Sequence, residues 1–71
     1  MKFNNGDRVI VINKDNIYFG LVGTIIGYDY SITTTTVVEF DNNIESHNGG
    51  GKGKEGHCAF ITEHNLELIN S

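Results

Sequence analysis

The stretch Leu21-Val22-Gly23-Thr24-Ile25-Ile26-Gly27-Tyr28 decides the fold of this chain. Its β-branched residues favour an extended strand. Its two glycines indicate a bend or a close approach of neighbouring backbone, as a tight barrel requires. Similar strand-forming runs lie before and after it, with turn residues about every eight to twelve positions. The sequence therefore predicts four further strands, at residues 8–12, 33–41, 57–61 and 66–69.

The connections between these strands are polar or rich in glycine. Residues 13–20 form the first connection, residues 29–32 a turn, and residues 42–56 a long glycine-rich loop. The stretch before the last strand predicts one helical or 3-10 turn, with Thr62 as its cap. There is no internal repeat and no linker. Residues 1–71 therefore predict one all-β domain, a small five-stranded barrel with a short helical or 3-10 turn before the last strand.

The size of the chain limits its core. At 71 residues, about 60% of the surface of the unfolded chain is buried on folding, so small domains often need a disulfide, a metal or self-association. The single cysteine, Cys58, cannot form an internal disulfide and fits a reducing compartment. We therefore expect a homo-oligomer.

Charge and hydropathy argue against two classes of partner. Nine acidic residues against five basic ones give a formal net charge of −4 at pH 7, whereas a nucleic-acid binder needs a clustered excess of Lys and Arg. No apolar run approaches the roughly 20 residues that span a bilayer, and the first residues lack the apolar segment of a signal peptide. We expect a cytoplasmic protein with no membrane partner, for which nucleic acid is an unfavoured ligand.

Four motifs together resemble the SH3-like barrel: Gly6-Asp7-Arg8-Val9, Gly23-Thr24-Ile25-Ile26, Val38-Glu39-Phe40-Asp41 and Asn65-Leu66-Glu67-Leu68-Ile69. The pattern is also similar to KOW-type modules and to the MIB/HERC2 domain of ubiquitin ligases. The glycine loop with the Gly-His-Cys sequence after it is similar to small proteins of bacterial viruses and mobile elements. Ala59 stands where those proteins often carry an aromatic residue. This last resemblance implies an accessory role, such as host interference or immune evasion, in the host cytoplasm.

The glycine-rich loop is the first candidate for a binding site. Five of the nine glycines lie between positions 49 and 56, together with two of the five basic residues. Such a loop can present a row of backbone N–H groups to an anion. It matches neither the P-loop nor the dinucleotide-binding fingerprint, because no helix is expected after it. Its candidate ligand-binding residues are Gly49, Gly50, Gly51, Lys52, Gly53 and Lys54. The alternative is a flexible hairpin connection without a ligand.

His57 and Cys58 follow the loop at the start of the fourth predicted strand. Because side chains alternate along a strand, Cys58 and Phe60 are expected on one face, and His57, Ala59 and Ile61 on the other. We expect a buried Cys58 and a surface-exposed His57 that contacts the ligand. Adjacent strand residues cannot easily share one metal ion, so no metal site is predicted.

Catalysis and a cofactor are not predicted. A reactive thiol needs an exposed, electropositive setting, which a mid-strand Cys58 beside Ala59 and Phe60 does not offer. Glu39 and Asp41 lie two residues apart on one strand, where a pair of carboxylates is typical of a solvated strand edge. The sequence therefore predicts a binding protein and not an enzyme.

Aromatic residues near the first connection and the end of the second strand are the second candidate site. Tyr18, Phe19, Tyr28 and Tyr30 occupy these positions. In SH3-like domains, aromatic residues near these loops line a peptide groove, and the same rings can stack on a nucleobase. The alternative is that they cover the core of a small barrel.

Two functions of different class follow from these sites. In the first, the loop, Lys52, Lys54 and His57 hold the phosphate of a small anionic, nucleotide-like ligand, and a tyrosine (Tyr18, Tyr28 or Tyr30) stacks on its base. In the second, the domain is a protein-interaction module or inhibitor that uses exposed aromatic residues, its acidic surface or a strand edge. Nucleic-acid binding is a distant third.

Overall fold

The computed structural model describes residues 2–29 and 32–69. Its strands are β1 (Arg8–Val11), β2 (Val22–Asp29), β3 (Ile32–Phe40), β4 (Cys58–Thr62) and β5 (Leu66–Leu68), and a 3-10 turn spans Glu63–Asn65. All pairings are antiparallel, in one sheet of order β4-β3-β2-β1-β5. The prediction of five strands with a 3-10 turn before the last strand is confirmed.

Each strand differs from its predicted bounds by one residue at one end or both. Asp29 pairs with Ile32, so β2 ends and β3 begins one residue nearer to the turn than predicted, and only residues 30–31 separate them. The 3-10 turn begins after Thr62, whose side chain makes no capping hydrogen bond. Thr62 therefore occupies the predicted N-cap position, but its side chain does not cap the turn. No helix in residues 2–29 and 32–69 has the length and apolar character needed to cross a membrane.

A β-bulge in β2 changes which residues face the core. Ile25 pairs with Val38 and Gly27 pairs with Val37, which leaves Ile26 as an extra residue. A bulge of this kind shifts the alternation of side chains by one position. Ile25 and Tyr28 consequently both face the core, while Ile26 and Gly27 lie on the opposite face. We call that opposite face of β2, β3 and β4 the outer face.

The expected close backbone approach at β2 is present at its first glycine. A Cβ atom on Gly23 would lie 2.7 Å from the carbonyl oxygen of Glu39 and 2.7 Å from Cγ1 of Val38. No side chain fits there, so the tight curvature of β2 against β3 requires glycine. The core enclosed by this curved sheet consists of Phe3, Val9, Val11, Ile25, Val38, Phe40, Ala59, Ile61 and Leu66.

Side chains alternate along β4 as predicted, but the two faces are exchanged. Ala59 and Ile61 belong to the core, whereas Cys58 lies on the outer face and is nevertheless fully buried. His57 lies beside the core with 9% of its surface exposed. Its Nδ1–H donates to the carbonyl oxygen of Phe40 at 2.8 Å. The expectation of an exposed His57 is therefore wrong, because its ring caps the end of β3.

A hydrogen-bonded cluster ties the N-terminal segment to the 3-10 turn. The hydroxyl of Tyr28 accepts from the N–H of Phe3 at 2.9 Å and donates to Oε2 of Glu63 at 2.5 Å. The same carboxylate accepts from the N–H of Lys2 at 2.7 Å. The hydrogen bond from Tyr28 is the main reason that the pKa of Glu63 is lowered, and the Lys2 N–H adds to it. Burial is the main reason that the pKa of Tyr28 is raised.

Tyr28→Phe is expected to lower the free energy of unfolding by about 1–3 kcal/mol, because it removes a hydroxyl that makes two hydrogen bonds, with the Phe3 N–H and the Glu63 carboxylate. The pKa of Glu63 is lower in the folded chain than in the unfolded chain. The stability that the ionised carboxylate contributes at neutral pH is therefore lost as the pH falls through the folded-state pKa. Urea unfolding between about pH 6 and pH 3 should therefore show a weaker acid dependence in the variant. Tyr18→Phe is the control. Equal effects of the two substitutions would contradict the assignment.

The glycine-rich loop and the candidate functional site

The glycine-rich loop packs directly on the outer face of the sheet. A Cβ atom on Gly49 would lie 2.8 Å from Cγ1 of Val37. One on Gly53 would lie 2.6 Å from Sγ of Cys58 and 2.7 Å from Cδ1 of Ile26. Real Cβ atoms do not approach other atoms so closely, so both positions require glycine. The loop backbone is therefore the cover over the apolar side chains of Ile26, Val37 and Cys58.

Most of the N–H groups that were expected to bind an anion are engaged inside the protein. The loop amides of Gly49, Gly51 and Gly53 each donate at 2.9–3.0 Å to a residue at the loop entrance. The acceptors are, in that order, Nδ1 of His47, Oδ1 of Asn48 and the carbonyl oxygen of Asn48. The alternative of a flexible hairpin connection also does not describe this loop, because its backbone is fixed by these bonds.

The anion that the loop holds is the carboxylate of Glu39. Oε2 of Glu39 accepts from the N–H of Lys54 at 2.9 Å and lies 2.8 Å from where a Cβ on Gly53 would be. Glu39 is therefore part of the loop packing and not a solvated edge carboxylate. Asp41 instead forms a bidentate pair with Arg8, with N–O distances of 2.8 and 2.6 Å.

Cys58 lies beneath this loop and is poorly suited to nucleophilic chemistry. Its Sγ donates a weak hydrogen bond of 3.6 Å to the carbonyl oxygen of Lys54. Burial, followed by the charge of Glu39, raises the pKa of the thiol, which disfavours the reactive thiolate. In the part of the chain that the structure describes, no three His, Cys, Asp or Glu side chains are grouped to hold a metal ion.

The predicted ligand-binding residues do not converge on one site. Gly50, Gly51, Lys52 and Lys54 are exposed on the loop, while Gly49 is buried and Gly53 is half-buried. The side chain of Lys52 lies over β2, with Nζ 3.2 Å from where a Cβ on Gly27 would be.

Tyr18 and Tyr28 lie away from the glycine-rich loop. Tyr28 is buried on the core face of the sheet, and Tyr18 packs on the core with its ring centroid 5.3 Å from that of Phe40. Tyr30 lies outside the described residues. Neither Tyr18 nor Tyr28 can therefore stack on a ligand that is held at the loop, which lies across the sheet.

Sequence reasoning named Phe19 among the aromatic candidates but missed the exposed isoleucines near it on the connection between β1 and β2. Ile17 is 87% exposed and Phe19 is 50% exposed, and Ile12 at the start of the connection is also exposed. We call Ile12, Ile17 and Phe19 the loop patch. Asparagine is a frequent turn-forming residue, so the two asparagines between Ile12 and Ile17 were a signal of an ordered loop.

Successive turns fix the backbone beneath the loop patch. Backbone N–H groups donate at 3.0 Å from Asn16 to the carbonyl of Asn13, from Phe19 to that of Asn16, and from Leu21 to that of Tyr18. The side chains of Asn13 and Asn16 each accept from the N–H two residues later, at 2.9 Å. The loop patch is therefore presented by a defined backbone.

The topology and the comparisons agree on the class of protein. Five antiparallel strands in this order, with a 3-10 turn before the last one, define a small SH3-like domain. A family model described as the Xrn1 SH3-like domain matches residues 1–67, and the chain belongs to this family. A search of curated proteins finds no match. The broad SH3-like resemblance is confirmed, while the similarity to KOW-type and MIB/HERC2 domains stays a prediction.

Gly53→Ala is expected to lower the free energy of unfolding by about 1–3 kcal/mol, because the new methyl group overpacks the contact with Cys58 and Ile26. Gly27→Ala is the matched control. Its methyl group meets only the mobile end of the Lys52 side chain, and the unfolded chain loses freedom in both variants. Chemical denaturation measures both. An unchanged stability of Gly53→Ala would show that the loop does not pack on the outer face.

Proposed function

We propose that this domain is a non-catalytic protein-interaction module whose binding surface is the loop patch. The observation that carries the proposal is the exposure of Ile17 and Phe19 on a hydrogen-bonded backbone. A partner that covers such a side chain gains about 1.5–3 kcal/mol per large apolar group. Large apolar groups that are exposed on one short connection of a small domain are candidates for an interaction site.

The order of the connection supports binding without a large entropic cost. Ordering a flexible loop on association costs free energy that reduces affinity. Here the turns at Asn13 and Asn16 have already fixed the backbone. The partner that fits is a protein with an apolar groove or pocket that accepts Ile17 and Phe19. Exposed Lys14 and Asp15 would lie at the polar rim of that contact.

Nucleotide capture by the glycine-rich loop has less support. The N–H groups of Gly49, Gly51, Gly53 and Lys54 already have acceptors. His57 and Tyr28 are buried away from the loop surface. This function remains a prediction that rests on the exposed side chains of Lys52 and Lys54.

An accessory role in a bacterial virus is compatible with an interaction module, because a protein that blocks a host surface needs no catalytic site. It remains a prediction, as does a reducing cytoplasm in which Cys58 stays a free thiol.

The test replaces Ile17 or Phe19 with a photo-crosslinking amino acid in cells that naturally express the chain, with Phe60 as the matched exposed aromatic control. We expect positions 17 and 19 to crosslink to the same protein and position 60 not to do so. Ile17→Asp with Phe19→Asp should abolish recovery of that protein, while Phe60→Asp should preserve it.

A melting experiment with mono-, di- and cyclic nucleotides decides between the two functions. A ligand at 100 times its Kd adds about 2.7 kcal/mol of stability. A nucleotide that raises Tm in the wild type but not in Lys52→Ala with Lys54→Ala would favour nucleotide capture. Undiminished partner binding by the Ile17→Asp and Phe19→Asp variant would overturn the interaction surface proposed at the loop patch.

A further inference from the structure

The two edges of the sheet differ in how they are protected. β5 is only three residues long and carries an exposed Glu67 at its centre. β4, at the other edge, reads Cys-Ala-Phe-Ile-Thr, without a charge or a proline. Soluble proteins usually protect a strand edge by shortness, charge or proline, because an unprotected edge pairs with another strand. β4 is therefore the edge that is open to pairing with another strand.

The backbone hydrogen bonds show which groups of β4 point away from the sheet. The N–H of Cys58 donates to the carbonyl of His47 at 3.0 Å, on the side away from β3. In an antiparallel strand every second residue directs both backbone groups to the same side. Phe60 and Thr62 therefore also direct their backbone groups to the outward side of β4, although the carbonyl of Thr62 also accepts the first hydrogen bond of the 3-10 turn.

The chain itself covers only the first part of this edge. Backbone N–H groups of Ile44 and Ser46 donate to the carbonyl of Gly56, and His47 accepts from Cys58. Among the described residues, no further backbone hydrogen bond joins the outward side of Phe60 to another segment. The open part of the edge is thus short, and it starts at Phe60.

We infer that this edge pairs with the same edge of a second copy of the chain. An antiparallel arrangement with Ile61 on the two-fold axis places Phe60 opposite Thr62 of the second copy. The N–H of Thr62 then donates to the carbonyl of Phe60 in the second copy, and the N–H of Phe60 donates to the carbonyl of Thr62, which also accepts from its own 3-10 turn. The two-fold repeats this pair of hydrogen bonds. In this register the N–H of Cys58 keeps its hydrogen bond to His47 of the same chain. A two-fold axis at Phe60 would instead place Thr62 of the second copy opposite Cys58, where His47 already lies.

The side chains on the outer face fit the same register. Phe60 is 53% exposed, and its ring lies 4.8 Å from the ring of His47 between centroids. In the dimer each Phe60 packs beside Thr62 of the second copy and diagonally across from the other Phe60, within reach of aromatic side chains. The additional burial supports a small domain. The contact is too small for a permanent complex, so we expect a weak dimer that depends on concentration.

Dimerisation through β4 leaves the loop patch accessible. Two strands, β3 and β2, separate β4 from β1 in the sheet. A dimer would therefore present two loop patches at once, which increases avidity for a partner with repeated sites. The dimer does not depend on the function proposed for the loop patch.

Sedimentation velocity over about a hundredfold range of concentration, reaching the millimolar region, tests the dimer. We expect a shift from monomer to dimer in the wild type. Phe60→Lys should remain monomeric over the range, because an edge lysine opposes pairing. Leu68→Lys is the matched control: it makes the same charge change at a 45% exposed residue on the other edge, and it should still dimerise.

Amide hydrogen exchange separates strand pairing from a contact through the phenyl ring alone. The N–H groups of Phe60 and Thr62 should exchange more slowly at high than at low concentration, and that of Glu67 should not change. A monomer at every concentration would overturn the inference and leave the edge open to a strand of another protein. A dimer that Leu68→Lys disrupts and Phe60→Lys preserves would overturn it as well.

Discussion

The packing of the glycine-rich loop on the outer face of the sheet is the interaction on which the rest of this structure depends. The single sheet carries apolar side chains on both faces, and the core covers only one of them. Ile26, Val37 and Cys58 would be exposed on the other face without the loop. Gly49 and Gly53 let the main chain itself approach these side chains, so a chain of 71 residues buries a second apolar cluster without adding another layer.

This packing also determines which surfaces remain for binding. Glu39 supplies the carboxylate for the Lys54 N–H, and the amides of Gly49, Gly51 and Gly53 have acceptors at His47 and Asn48. The loop is therefore primarily a structural cover. Among the described residues, the large exposed apolar groups lie instead on the loop patch, at Phe60 and at Leu68, which is why an interaction module agrees better with the geometry than capture of a nucleotide.

The sequence predicted the positions of the strands better than it predicted which side chains are buried and which residues make contact across the fold. The β-branched runs located the strands, and Gly23 marked a close backbone approach, because both are local properties of the chain. Alternation along β4 was also predicted, but periodicity does not say which of two apolar faces is the core. The burial of His57 and the bulge at Ile26 depend on β3. The pairing of Glu39 with Lys54 joins residues 15 positions apart, which no local pattern indicates.

Native-state hydrogen exchange of the loop amides tests the central claim most directly. If the loop is a packed cover, the amides of Gly49, Gly53 and Lys54 exchange only through large openings, with protection that approaches that of the β3 amides. The exposed amide of Gly50 provides an internal comparison and should exchange quickly. Exchange of Gly49, Gly53 and Lys54 at the rate of an unstructured peptide, while β3 remains protected, would contradict the account.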